Sequence, residues 1–454
     1  MATPSDSPKK LLPSILAGVG AFLLVAGILL PTFLVPRLSI APLAVGPGNS
    51  GNTHTTTTVE GTAFDPVAYR QQKPTAGNAD RPECKQPNPA TWRLPMFCFI
   101  DTRVPLSSRT TVFGAEPAND KVNTYQAGYT LWRKDRKTLE DGIITSYVDR
   151  VTTNRRTSAP TGESIIYPNA DPANPGANDP IKPFQRTGYQ YKFPYNTSLD
   201  SHYSYFDPFV LQSIPLTPVR ETVVDGVKAL EFKQVVGPTN LYKVWEKALR
   251  DDHGNLSFID KLTLSAYRFN EPESVWKNGG SDQVVPYYAY YYKERDLVIS
   301  QATGQILKKH EYFQWFAAKN EDAARSYLHD NGMRSGLDNP TVTLVEADTT
   351  LSKKDTEDVV ADEKSTYALL QGATVGGWVM GGVGLILLVL GWFTVVKRTR
   401  EWDRITRAVR EDLPLDGDDD GAGHDSAGDD SAGDDNGNGT RAGDSTGDGE
   451  GTAR

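Results

Sequence analysis

The chain has 454 residues, 38% of them hydrophobic and 23% charged, and a formal net charge of −9. That length allows one large domain or two modest ones. From Glu411 to Arg454 fourteen acidic residues stand against Arg441 and Arg454, a net of −12, so the rest is about +3, and the long stretch between the two apolar runs described below is close to neutral and lacks the basic stripe of a nucleic-acid binder.

Residues 1–10, with Lys9 and Lys10, precede an uncharged apolar run from Leu11 to Val35. About 24 residues make a helix of ~36 Å, enough to cross a ~30 Å hydrocarbon core. The run is too long for a secretory signal core, and Pro42 follows the nearest small-residue cleavage triplet, Ser39-Ile40-Ala41. It is therefore read as an uncleaved transmembrane helix over 11–36. A second uncharged run, Ala373 to Val396, predicts another over 367–396, followed by Lys397, Arg398 and Arg400. The positive-inside rule places both termini in the cytoplasm and residues 37–366 outside the plasma membrane.

After the first span, Ala41 to Thr58 is rich in Pro, Gly, Asn and Thr and reads as a linker. Cys84 and Cys98, the only cysteines, fall in the external segment, which favours a disulfide over two separate thiols. Beyond them, short runs of Val, Tyr, Phe and Thr between turn residues predict strands. The clearest hairpin, Glu221 to Val236, turns at Asp225-Gly226, and a second, Asp296 to Phe316, turns at Gln301 to Gly304. The returning arm of the second, Gln305 to Phe313, partly alternates and reads as a strand with one wet face. Residues Pro168 to Pro183 and Asn278 to Ser281 read as loops. Asn320 is a candidate cap for a short helix from Glu321 to His329, and Lys353 to Tyr367 a candidate helical stalk.

Past the second span, Lys397 to Arg410 holds six basic residues, and Lys397, Arg398, Arg400 and Arg404 are candidates for lipid-headgroup contact over 397–412. From 413 to 454 the composition predicts a disordered acidic tail. Asp416, Asp418, Asp420 and Gly421 match half an EF-hand loop, but Ala427 stands where a bidentate Glu is needed. The fold class is thus a membrane-anchored, mainly β (α+β) ectodomain between two transmembrane α-helices, with a disordered C-terminal tail.

Motifs for catalysis are sparse. The six His are scattered, and G-x-S-x-G, H-E-x-x-H and P-loop patterns are missing, so a non-enzyme without cofactor or metal is expected. Tyr288, Tyr290 and Tyr292 share one strand face and are either candidate ligand-facing aromatics or cross-strand packing. Asn196-Thr197-Ser198 is a glycosylation sequon to which no role is assigned. In the second span Gly377, Gly381, Gly384 and Gly391 form a helix-packing face whose partner is the first span, with its Ala17, Gly20 and Gly27, or a second protomer.

Several runs together resemble one family: Tyr147-Val148-Asp149-Arg150, Asn154-Arg155-Arg156-Thr157, Gly188 to Tyr195, and Tyr203 to Pro208. The Asp225-Gly226 hairpin and the segment Arg295 to Leu307 with its Thr303-Gly304 turn complete the pattern. It is similar to an actinobacterial porin PorA-like membrane family, much of it treated as a domain of unknown function. The resemblance covers both spans and what lies between, and it implies no catalytic residues. A β-barrel pore would need amphipathic strands and a removable signal, whereas two apolar helices could conduct only by oligomerising. The main expectation is an ectodomain that binds or transfers a lipid or other hydrophobic envelope ligand, by weak architectural analogy with scavenger-receptor proteins. A structural module docking an envelope protein and a homo-oligomeric porin are the alternatives. An apolar cavity opening near the membrane would favour the first, and a packed interior docking.

Overall fold

A computed structural model describes residues 12–42, 52–169, 179–277, 279–331 and 341–411. Helix α1 (Leu12–Leu29) passes through a π-helical turn, Leu30–Leu34, into α2 (Val35–Leu38). Pro31 has no N–H to donate, and the wider turn accommodates it without ending the helix. Strand β1 (Asn52–Phe64) follows, then α3 (Pro66–Gln71), α4 (Pro82–Lys85), β2 (Ile100–Ala115), β3 (Val122–Arg133) and α5 (Leu139–Gly142). Next come β4 (Ile143–Asn154), β5 (Glu163–Pro168), β6 (Phe184–Gln185), β7 (Ser204–Asp207), β8 (Gln212–Pro215), β9 (Thr217–Val224) and β10 (Val227–Asn240). The chain continues through α6 (Leu241–Leu249), α7 (Phe258–Ser265), β11 (Arg268–Pro272), α8 (Glu273–Trp276), β12 (Val284–Ser300) and β13 (Ile306–Ala318). It closes with α9 (Glu321–Asn331), β14 (Thr343–Leu351) and α10 (Lys353–Glu411). By contacts the chain divides at Gly391, and the described part of the second unit is the last stretch of α10.

Twelve of the strands form one sheet in the order β6-β5-β4-β3-β2-β1-β14-β13-β12-β10-β9, with β11 also on β12. Every pairing is antiparallel. The β7–β8 ribbon is a separate pair bonded on two sides. Tyr189 bridges to Tyr205 on one side, while the Gln234 amide of β10 donates to the carbonyls of Tyr205 and Ile214 at 2.9 Å on the other. The interior is packed with aromatic residues, among them Phe99, Phe206, Tyr291 and Trp315.

Asp225 and Gly226 have φ of 47° and 88° and close the β9–β10 hairpin. The side chain of Asn320 accepts from the Ala323 N–H at 2.9 Å, capping α9. Cys84 and Cys98 are disulfide-bonded, with Cα atoms 5.6 Å apart. The linker expectation needs correction. Its end, from Asn52, is strand β1, where Thr55 pairs with Arg109 and Thr57 with Thr350. A run of β-branched Thr suits a strand with partners on both sides, which outweighs its polar composition. Residues 43–51 of that linker, and 170–178 and 278 of the two loops, lie outside the described residues.

The Gln301–Gly304 turn is fixed by a loop that crosses it. Gly304 has φ +74°, and a Cβ there would lie 2.2 Å from the Phe193 carbonyl oxygen. Gly254 has a similar φ, +80°, with nothing within 4 Å. Gly304→Ala should therefore cost more than the ~1–2 kcal/mol of left-handed strain, and Gly254→Ala only that. Denaturant unfolding of the full-length variants in detergent checks this, and equal losses would refute the contact.

Candidate functional site

The segments flanking both apolar helices are bonded to the β domain. Beyond α2, the Ala41 N–H donates to the Arg155 carbonyl at 2.8 Å, and Arg155 Nε returns a bond to the Ala41 carbonyl at 2.7 Å. Tyr195 Oη donates to the Ile40 carbonyl at 3.2 Å, and Asn123 Nδ2 to that of Pro42 at 2.6 Å. On the other side Glu363 of α10 is buried, accepting from Ser300 Oγ at 2.5 Å and Thr303 Oγ1 at 2.7 Å. One turn earlier, Val360 packs with Val224, Val227, Ala229 and Leu307. Lys192 Nζ donates to the Thr303 carbonyl at 2.9 Å. Burial pulls its pKa down to about 8, with Glu363 opposing the shift.

Between α1 and α10 the approach is backbone to backbone. A Cβ on Gly27 would lie 2.2 Å from Gly381 N, one on Gly384 2.4 Å from Leu24 N, and one on Gly20 2.7 Å from Leu388 N. Gly377 faces Pro31 and Gly391 faces Ala17, while Gly381 has a little more room, 3.7 Å to Gly27. Each helix is long and apolar enough to cross a membrane. Gly372, Gly376 and Gly382 have nothing within 4 Å.

Inside the β domain two buried ionic clusters sit on the family-like runs. Arg295 of β12 bonds Glu311 of β13 at 2.7 Å through Nε and Asp207 of β7 at 3.1 Å through a terminal nitrogen. It also donates to the Gln234 side-chain oxygen, Oε1. Lys293 Nζ reaches Glu311 at 3.1 Å, and Tyr291 Oη donates to Asp207 at 3.1 Å. Burial works against the Glu311 charge, yet Lys293, Lys309 and Arg295 hold that carboxyl well below the usual carboxylate range. In the second cluster Arg186 and Tyr191 donate to Asp149 at 3.0 and 2.6 Å, and Arg186 lies 4.4 Å over the Phe206 ring. Sequence reasoning did not single out these charges, because ions on strands read as a wet face. The signal that could have found them is Lys293 and Arg295 at alternate positions, flanked by Tyr291 and Leu297 on the same face.

The Tyr trio lies on the opposite face of β12. Tyr290 and Tyr292 are buried and Tyr288 half-buried, in a cluster with Phe316 and with Ala324, Tyr327 and Leu328 of α9. Lys397, Arg398, Arg400 and Arg404 are exposed on α10. The half EF-hand at Asp416 and the acidic tail lie outside the described residues. Among the described residues no three His, Cys, Asp or Glu converge as metal ligands would.

Two hollows bear on the lipid expectation. One, about 250 Å³, opens at the surface between Pro168, Asn169 and Asp179 and the α7 residues Ile259, Leu262 and Thr263. The other, about 10 Å³, lies between Tyr125, Arg186, Gln190 and Lys192. Neither is an apolar tunnel, so the geometry gives the lipid-transfer expectation no support.

The Arg295 cluster sets a stability test. Arg295→Met leaves Asp207 and Glu311 short of their main cation and should cost roughly 3–5 kcal/mol. Because the Glu311 value is depressed in the fold, its contribution is present above the unfolded carboxylate value and is lost as pH falls through the folded one. Unfolding of the parent chain followed from neutral to acid pH should show that loss, and a flat profile would contradict it.

Comparison with known proteins follows the same boundaries. The family profile described as Porin PorA matches residues 12–393, from the first apolar helix to the second. A protein named Porin PorA from Corynebacterium resistens is 31% identical over 418 residues, covering 86% of this chain and 98% of that one. Another, from Corynebacterium amycolatum, is 30% identical over 387 residues, covering 85% and 98%. The resemblance read from the motifs is thereby established, and the chain belongs to the porin PorA family.

Proposed function

We propose that this protein is an envelope-membrane porin that conducts only as an assembly of copies. The observation that carries the reading is the glycine contact between α1 and α10. Backbones that approach this closely leave no lumen between them, so a single chain has no wet path through its own helix pair. Among its described residues the β domain opens none either, since the interior there is occupied by the Arg295 and Asp149 clusters and by aromatic packing. A solute path consistent with the relatives' name therefore runs between chains, along the outward faces of the spans. This reading takes both helices as spans of the plasma membrane, with both termini cytoplasmic and the β domain outside, as the flanking basic residues favour. A channel in this family also fits the lack of catalytic motifs.

Purified full-length chain in planar bilayers tests the proposal. Discrete conductance steps should appear, rising more steeply than the first power of protein concentration and coinciding with an oligomer in crosslinking. An assembled oligomer that passes no current would overturn it, as would conductance from isolated monomers.

A further inference from the structure

The last part of α10 continues as helix to Glu411, well past the apolar run that ends at Val396. Lys397, Arg400, Arg404 and Arg407 follow one another at spacings of three, four and three, which puts them on one face. All four are exposed, and none has an ion-pair partner among the described residues. Trp402 and Ile405, 70% and 56% exposed, lie on another face. We infer that this basic stripe is the docking surface for the chain's own acidic C-terminus, centred on Asp416 to Asp420.

Charge and reach carry the inference. Residues 397–410 hold six basic residues against Glu401 and Asp403, and the fourteen acids from Glu411 onward are the nearest excess of opposite charge in the sequence. Asp416 to Asp420 follow Glu411 by only five to nine residues, up to ~17–31 Å of extended chain. Arg404 lies ~10 Å back along the helix, within that reach. Headgroups are the competing anions, and they favour Lys397 and Arg400. Arg404 and Arg407 stand ~12 and ~17 Å beyond Val396 along the helix, past a headgroup layer only ~5–8 Å deep. Ion pairs between exposed groups are individually weak, but a tethered partner has an effective concentration of order millimolar. Docking neutralises the outer half of the stripe and lowers the attraction of this segment for anionic lipid.

Spin labels at Thr406→Cys and Ser426→Cys, on the full-length chain in phosphatidylcholine nanodiscs, test it, because both native cysteines are disulfide-bonded. At low salt the labels should lie about 10 Å closer than the ~21 Å spread of a free 15-residue linker allows. Replacing Lys397, Arg400, Arg404 and Arg407 with Gln should lengthen the separation by that amount, as should ~1 M salt, where the screening length falls to ~3 Å. A separation unchanged by the four substitutions overturns the inference, whatever salt does.

Discussion

The rest of this structure depends on the pairing of the first strand with the last. β1 and β14 are neighbours in the middle of the sheet, with Thr56 opposite Leu351, so the two chain ends leave the β domain side by side. Antiparallel neighbours lie ~5 Å apart, so α10 leaves the sheet beside β1, while the segment after α2 is held to Arg155, just past β4. Glycine then lets the two apolar helices close to backbone contact, which larger side chains at positions 20, 27 and 384 would prevent. The Ala41–Arg155 exchange and the burial of Glu363 fix each helix to the domain just where it leaves. Helix pair and sheet form one connected body through Gly391.

The interior explains why the body is closed. Arg295 serves Asp207 of the ribbon and Glu311 of β13, while Gln234 holds the ribbon's carbonyls, so polar bonds fix the ribbon to β10, β12 and β13. Buried ion pairs are weak sources of stability, because desolvation offsets the attraction. Their effect is to specify one arrangement, since any shift of β7 against β12 would strand charges in the core. Among the described residues the same filling gives a lipid tunnel no support, and the proposed pore lies between chains.

Much of this was legible in the sequence where local chemistry decides the structure. The uncharged length of the two spans, the Asp225-Gly226 turn, the Asn320 cap and the cysteine pair each carry their meaning within a few residues. The glycine face at 377, 381, 384 and 391 could be read from spacing, whereas its partner could not, because that depends on where β1 and β14 bring the helices. Asn52 to Thr58 is an exception, a Thr run that looks like linker until its two neighbouring strands are known. Glu311 is another. The β13 arm does have a wet side at Lys308 and His310, but Lys309 and Glu311 face inward, and alternation cannot distinguish a solvated ion from one paired across strands. The charges on β12 and β7 that meet Glu311 are distant in sequence, so only topology brings them together.

If α1 and α10 of the same chain close on each other, any pore lies between chains. Disulfide trapping tests this with Ala17→Cys and Gly391→Cys, where a Cβ on Gly391 would lie 3.4 Å from that of Ala17. Oxidation of the full-length double variant in lipid should link the pair within a single chain and leave its mass on a denaturing gel that of a monomer. Covalent dimers as the main product would mean that the glycine face joins different chains, and would contradict the account.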